Sequence, residues 1–172
     1  MTSILRITIK QGVIMGLCFC VYTITMWLTK LDSTYLRVGQ YFDVAIILLP
    51  IIMIFWAIRE ALNLYQITVF QRIFVAIFVG AVSFLIYDPF LYLYHNYINP
   101  EWFTAVLNLK EVELKASDVS QIEITNTLQK MSNANINQSG IFKLSTLIPS
   151  VIIIPTLIAL VSNIFIRVKG NK

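Results

Sequence analysis

The sequence predicts an all-α integral membrane bundle of four transmembrane helices, with an extracytoplasmic amphipathic helical segment between helices 3 and 4. Three observations predict it. Of 172 residues, 58% are apolar and 13% charged, about half the charged share of a soluble domain, and mean hydropathy is +0.76. Four stretches contain no Asp, Glu, Lys or Arg. One long polar segment separates the third stretch from the fourth. This composition excludes a soluble globular enzyme and a disordered segment. The two cysteines, Cys18 and Cys20, are too few for a disulfide scaffold.

The uncharged stretches are residues 11–29, 44–58, 73–87 and 144–166. A membrane span needs roughly 20 residues, because a helix rises about 1.5 Å per residue and the hydrocarbon core is about 30 Å thick. The first and last stretches suffice as they stand. The middle two must extend past a charge, the second backwards over Asp43 and the third forwards through Asp88. The chain therefore reads as one membrane domain, 1–172, with spans near 11–29, 39–58, 72–94 and 144–166. A helical outer loop near 96–143 completes it. The first span ends in Met26-Trp27-Leu28-Thr29 with no small-residue cleavage site, which reads as an uncleaved anchor.

With four spans, both termini and the second loop share a side. That side holds Arg6, Lys10, Arg59, Arg72, Arg167, Lys169 and Lys172 against the single acid Glu60. The other holds Lys30, Arg37, Lys110, Lys115, Lys130 and Lys143 over a longer length, with Asp32, Asp43, Glu101, Glu111, Glu113, Asp118 and Glu123. The positive-inside rule places both termini in the cytoplasm and the 96–143 loop outside. The basic collars would meet anionic lipid of a bacterial inner membrane. No basic stripe interleaves with aromatics, so nucleic acid is not an expected partner.

In the outer segment, Tyr92, Tyr94, Tyr97 and Trp102 suit a lipid headgroup boundary. Asn99-Pro100-Glu101 reads as a helix start with Asn99 as the cap. Trp102, Val106, Leu109 and Val112 then recur at helical spacing, with Phe103 and Leu107 beside them, which predicts an amphipathic helix over 100–115. A weaker helix follows from Ser117, and 132–140 reads as a polar linker. Trp102, Phe103, Val106 and Leu109 form a candidate face for a membrane-protein partner; a solvated cap is the plainer reading.

Asp43, Asp88 and His95 are the candidate intramembrane polar site. Asp43 lies 16 residues before Arg59 and Asp88 16 after Arg72, so antiparallel helices set both acids about 24 Å from the basic collar. Intramembrane acids often mark ion or proton paths. Each also has a plain reading, Asp43 as an N-cap and Asp88 before Pro89 as a cap where a helix breaks and restarts. His95 follows Asp88 by seven residues and shares its face. As the only histidine, it builds no conventional metal site. Gly12 with Gly16, and Ala76 with Gly80, are small-residue pairs for close helix packing. Pro50, Pro89, Pro149 and Pro155 lie in or beside three spans. Ser162 and Asn163 offer interhelical hydrogen bonds. No catalytic motif, cofactor fingerprint or internal repeat is present.

Ala57-Ile58-Arg59, Phe70-Gln71, Gly80, Tyr87 and Ile98-Asn99-Pro100-Glu101-Trp102 resemble a bacterial inner-membrane family catalogued as domain of unknown function 4199. The chain departs from that pattern at Asn63-Leu64 and at Asp88-Pro89. The resemblance implies four helices with a charged outer helix before the last, and carries no functional residue. The expected function is a small non-enzymatic accessory, interaction or assembly subunit, alone with lipid, with a membrane-protein partner or as a homo-oligomer. The alternative is a small permease or proton-coupled carrier using Asp43, Asp88 and His95. An intramembrane enzyme ranks third.

Overall fold

The computed structural model describes residues 2–117, 119–138 and 141–166. Its elements are α1 Thr2–Leu28, α2 Leu36–Ile46, α3 Leu48–Leu64, α4 Val69–Leu93, α5 Trp102–Lys115, α6 Gln121–Gln138, α7 Leu144–Leu147 and α8 Ile154–Phe165. Two wide π-helical turns, Tyr94–Ile98 and Ile148–Ile153, continue α4 and join α7 to α8. Among the described residues four continuous helical segments are long and apolar enough to cross a membrane: Ser3–Leu28, Leu36–Leu64, Val69–Ile98 and Leu144–Phe165. This is a four-span integral membrane architecture. The second and third spans outrun the 39–58 and 72–94 expected; in the second, the single charges Arg59 and Glu60 do not stop a helix that hydrophobic neighbours already propagate.

The prolines distort the spans without ending them. Proline has no N–H to give the carbonyl four residues earlier. In the second span, Pro50 leaves Ile46 without its usual donor, and α2 gives way to α3 at Ile47. Pro89 sits inside α4 and precedes the π turn at Tyr94. So the helix does not break and restart at Asp88, which correspondingly caps nothing. Asp43 lies within α2, past its first turn, and is not an N-cap either. The start of α4 is a capping box, with Gln71 N–H donating to Thr68 Oγ1 at 3.4 Å and Thr68 N–H donating to Gln71 Oε1 at 2.8 Å.

Helix α4 is the central element and touches α1, α3 and α8. Gly12 and Gly16 let α1 lie directly on it. A Cβ at Gly12 would come within 2.6 Å of Val82 Cβ, and one at Gly16 within 3.0 Å of the Ser83 carbonyl oxygen. Ala76 is fully buried, and Gly80 gives way to Pro155 on the other side of α4. Both small-residue pairs are thus used within the bundle. A layer of Ile54, Ala57, Ile58, Ala76, Val79 and Ala159 fills the centre. Outside it Phe74, Phe78, Leu85, Leu157 and Ile164 are exposed, which suits acyl chains and no aqueous surface.

One end of the bundle, the terminal face, gathers the start of α1, the α3–α4 connection and the end of α8. Further in from that end, Gln11 Nε2 donates to Glu60 Oε2 at 3.0 Å, and Lys10 Nζ stands 3.7 Å from Glu60 Oε1. Arg6 and Arg59 are exposed, but Arg72 is not. Counted above as a collar for lipid, Arg72 is 3% exposed. Its Nη1 donates to Asn163 Oδ1 at 2.8 Å and to the Ile166 carbonyl at 3.0 Å. Arg167, Lys169, Lys172 and Asp118 lie outside the described residues.

The opposite end, the cap face, holds the α1–α2 turn and the α5–α6 hairpin. Helix α5 starts at Trp102, close to expectation, but α6 runs on to Gln138 through most of the expected linker. Asn and Ser cost a helix only tenths of a kcal/mol each, about 0.5 relative to Ala. With neither Gly nor Pro between 121 and 138, nothing stops it.

Candidate functional site

The α1–α2 turn begins with a left-handed residue. Lys30 has φ 59°, its N–H donates to the Trp27 carbonyl at 3.0 Å, and the Leu31 N–H reaches back to Met26 at 2.9 Å. This pair of bonds is a Schellman closure of α1. The chain then folds tightly onto α2. Gly39 makes that approach possible, since a Cβ there would sit 2.1 Å from the Leu31 carbonyl oxygen. The result is that Asp32 is carried inward and is 8% exposed.

Asp32 meets the far end of α4 there. Its Oδ2 accepts from the Tyr94 hydroxyl and, at 2.8 Å, from Asn99 Nδ2. The π turn explains why two residues five apart reach one carboxylate. Asn99 N–H donates to the Tyr94 carbonyl at 2.8 Å, an i to i+5 bond that stacks the two side chains on one side of the helix. Asn99 Nδ2 also lies 3.0 Å from the Tyr94 hydroxyl. Asn99 is thereby occupied and does not cap α5, whose preceding residue Glu101 makes no side-chain cap. Tyr94 is 2% exposed, so it anchors the interior rather than the headgroup boundary. Tyr97 keeps an exposed position.

Beside this network lies a cavity of about 350 Å³, bounded by α1, the Asp32 turn, α2, α4 and α5. Tyr22, Asp32, Asp43, Tyr87, His95 and Trp102 line it, with Thr23, Leu91 and Val106 among the others. Tyr22 donates to Asp43 Oδ1 at 2.7 Å. Thr23 donates to the Phe19 carbonyl at 3.0 Å and stands 3.0 Å from the Tyr87 hydroxyl. An aromatic series runs past the cavity from Phe19 to Tyr87, Phe90, Tyr94, His95 and Trp102, with the last two ring centroids 4.5 Å apart. Among the described residues two buried atoms of these lining residues, Asp32 Oδ1 and His95 Nδ1, have no hydrogen-bond partner.

Asp43 and His95 are thus brought together, and Asp88 is not with them. Its Oδ2 accepts from the Phe142 N–H at 2.7 Å, where Phe142 holds a left-handed φ of 57° and packs its ring 5.9 Å from Phe84. Asp88 pins the approach to the fourth span. Asp88→Ala is expected to lower stability in detergent by about 1–2 kcal/mol, while Asp88→Asn, which still offers an oxygen, loses about half as much or less. Equal thermal midpoints for wild type and Asp88→Ala would refute the anchor.

On α5, Trp102 and Val106 face the cavity. Phe103 and Leu109 are half-buried and do not line it. Among the described residues of the hairpin, the large exposed apolar side chains are Val112 and Ile122. Asp32, Tyr22 and Asn99 carry the site and had no signal in the sequence. Asp32 lies 62 residues from Tyr94 and 67 from Asn99, and no periodicity links positions on different elements. Among the described residues no group of three or more His, Cys, Asp or Glu is arranged to hold a metal ion.

A family model described as "Protein of unknown function (DUF4199)" matches residues 10–168. No curated protein and no solved structure matches the chain.

Proposed function

The chain belongs to the DUF4199 family of unknown function, and from that premise we propose that it is a non-enzymatic accessory or assembly subunit of the bacterial inner membrane. Both termini lie in the cytoplasm and the cap face outside. The observation that carries this reading is the separation of its polar groups. At the cap face lie Asp32, Asp43, Tyr94 and His95; toward the terminal face lie Arg72 and Asn163, with the bonded Gln11–Glu60 pair alongside the layer that intervenes. Between them stands the layer of Ile54, Ala57, Ile58, Ala76, Val79 and Ala159, at most 2% exposed with Val75.

Two buried hydroxyls near that layer are bonded within their own helices. Ser162 donates to the Ala159 carbonyl at 2.6 Å and Thr8 to Leu5 at 2.8 Å. Crossing the layer would strip a solute of hydrogen bonds at several kcal/mol per polar group, about 2–7 each. Such a bundle is better suited to packing beside other membrane components than to conducting. Exposed Arg6 and Arg59 at the terminal face fit anionic headgroups, worth about 1 kcal/mol each.

A carrier is the second reading, favoured by Asp43 and His95 lining one cavity. One preparation separates the two. The protein, tagged at its C-terminus, is purified in mild detergent and the mass of any co-eluting chain determined. It is then reconstituted in vesicles for proton and cation flux. An accessory subunit brings a stoichiometric partner and moves no ions, and its tag resists external protease in intact cells. Flux through the wild-type protein above that of empty vesicles would transfer the case to the carrier.

A further inference from the structure

We infer that the cap-face cavity is a binding site for a small organic ammonium ion. Four features of the lining meet here. Asp32 is more than nine-tenths buried, lines the cavity, and keeps its Oδ1 without a partner among the described residues while Oδ2 holds Tyr94 and Asn99. A buried carboxylate with one oxygen unpartnered costs free energy, and a positive charge held in the adjoining cavity lowers that cost. Asp43 supplies a second acid on the facing helix. Lys30 and Arg37, the basic residues nearest Asp32 in the chain, are exposed and line no part of the cavity. Tyr22, Tyr87, Tyr94, His95 and Trp102 give the rest of the wall its aromatic part, beside aliphatic side chains such as Met26 and Leu91.

Carboxylates with aromatic faces select a particular kind of cation. Ring quadrupoles attract alkylammonium groups, whose charge is spread over carbon-bound hydrogens and whose dehydration is cheap. A bare metal ion instead needs six or more oxygens in its shell when it is calcium or magnesium. Most oxygens here are already engaged with one another. Size points the same way. A volume of about 350 Å³ holds about a dozen non-hydrogen atoms at roughly 30 Å³ each, and it lies at the lower end of small-molecule sites. Trp102 and His95, with rings 4.5 Å apart, close the site on the α5 side. This inference stands whether or not the protein has a membrane partner.

Trp102 is also the reporter, because it is the tryptophan that lines the cavity; Trp27 and Trp56 line other surfaces. The full chain in detergent micelles is titrated with choline chloride and with ethanolamine hydrochloride, against NaCl at equal ionic strength, while tryptophan emission is followed. The expected result is a saturable change with one or both ammonium salts and none with NaCl. Asp32→Asn and Asp43→Asn each weaken the apparent affinity by about tenfold or more. Asp32→Asn also touches the Tyr94 and Asn99 bonds, so its helix content and elution volume are checked. If it fails to fold, Asp43→Asn decides. A response that does not saturate, one that NaCl reproduces, or one that survives both substitutions undiminished would overturn the site.

Discussion

Gly39→Ala is expected to cost about 3 kcal/mol or more and to abolish the ammonium response at the cap face. The new Cβ would fall 2.1 Å from the Leu31 carbonyl oxygen and 2.9 Å from Met26 Cε. The methionine can swing aside. The carbonyl cannot, since the Leu31 N–H is bonded to Met26 and the Tyr35 N–H to Lys30, both at 2.9 Å. Overpacking a well-packed site costs about 1–3 kcal/mol even where side chains give way, and here backbone must move. The residue displaced with Leu31 is Asp32, which separates its carboxylate from Tyr94 and Asn99. Thermal unfolding in detergent and the emission titration measure the two consequences. Gly16→Ala is the comparison, because its closest approach is 3.0 Å and lies far from the turn. A Gly39→Ala protein that melts with the wild type would show that the turn does not depend on this contact.

Arg72→Leu is expected to be nearly as damaging, by about 2–4 kcal/mol, although leucine is the residue an apolar interior ordinarily favours. The guanidinium is nearly inaccessible and bonded to Asn163 Oδ1 and to the Ile166 carbonyl. Ile166 follows the last residue of α8, where helix carbonyls lack internal donors and the helix dipole favours a cation. Leucine would leave that carbonyl and one side of the Asn163 amide without their donor. An unpaired buried polar group costs about 1–3 kcal/mol. Asn163 retains its own bond from Nδ2 to Ala159 at 3.1 Å, so the loss is confined to one oxygen of the side chain and one of the backbone. The double substitution Arg72→Leu with Asn163→Leu removes donor and side-chain acceptor together and is expected to recover part of the stability. If the single substitution leaves the unfolding midpoint unchanged, Arg72 does not hold α8 to α4.

The same residue shows where sequence reasoning about charge stops. Arg72 sits at the start of a span, as a lipid-facing collar residue would, and hydropathy alone treats it like Arg59. Position around the helix separates them, since Arg59 is exposed while Arg72 shares the inward side of α4 with Val75, Ala76 and Val79. Asp88 and Asp43 show a similar limit. Their equal distances from the basic residues implied a shared depth, but depth without azimuth does not make a pair. One carboxylate turns to the Phe142 N–H and the other to the Tyr22 hydroxyl.

The chain by itself determined that there are four apolar helices and that a helical cap lies between the third and the fourth. It also placed the small residues at which α1 meets α4. These are properties of composition and local period, summed over about 20 residues at a time, and membrane spans are the elements for which such sums decide most. The tertiary structure alone decided the direction of each polar side chain. It put Asp32, an outer acid like six others by sequence, into a buried network with residues more than sixty positions away. It spent Asn99 on that network instead of on a helix cap, and folded Trp102 over a cavity. The physical reason is that a single buried hydrogen bond, worth about 1 kcal/mol, depends on rotation about a helix axis and on a five-residue turn. Neither leaves a mark in the hydropathy that fixes the spans.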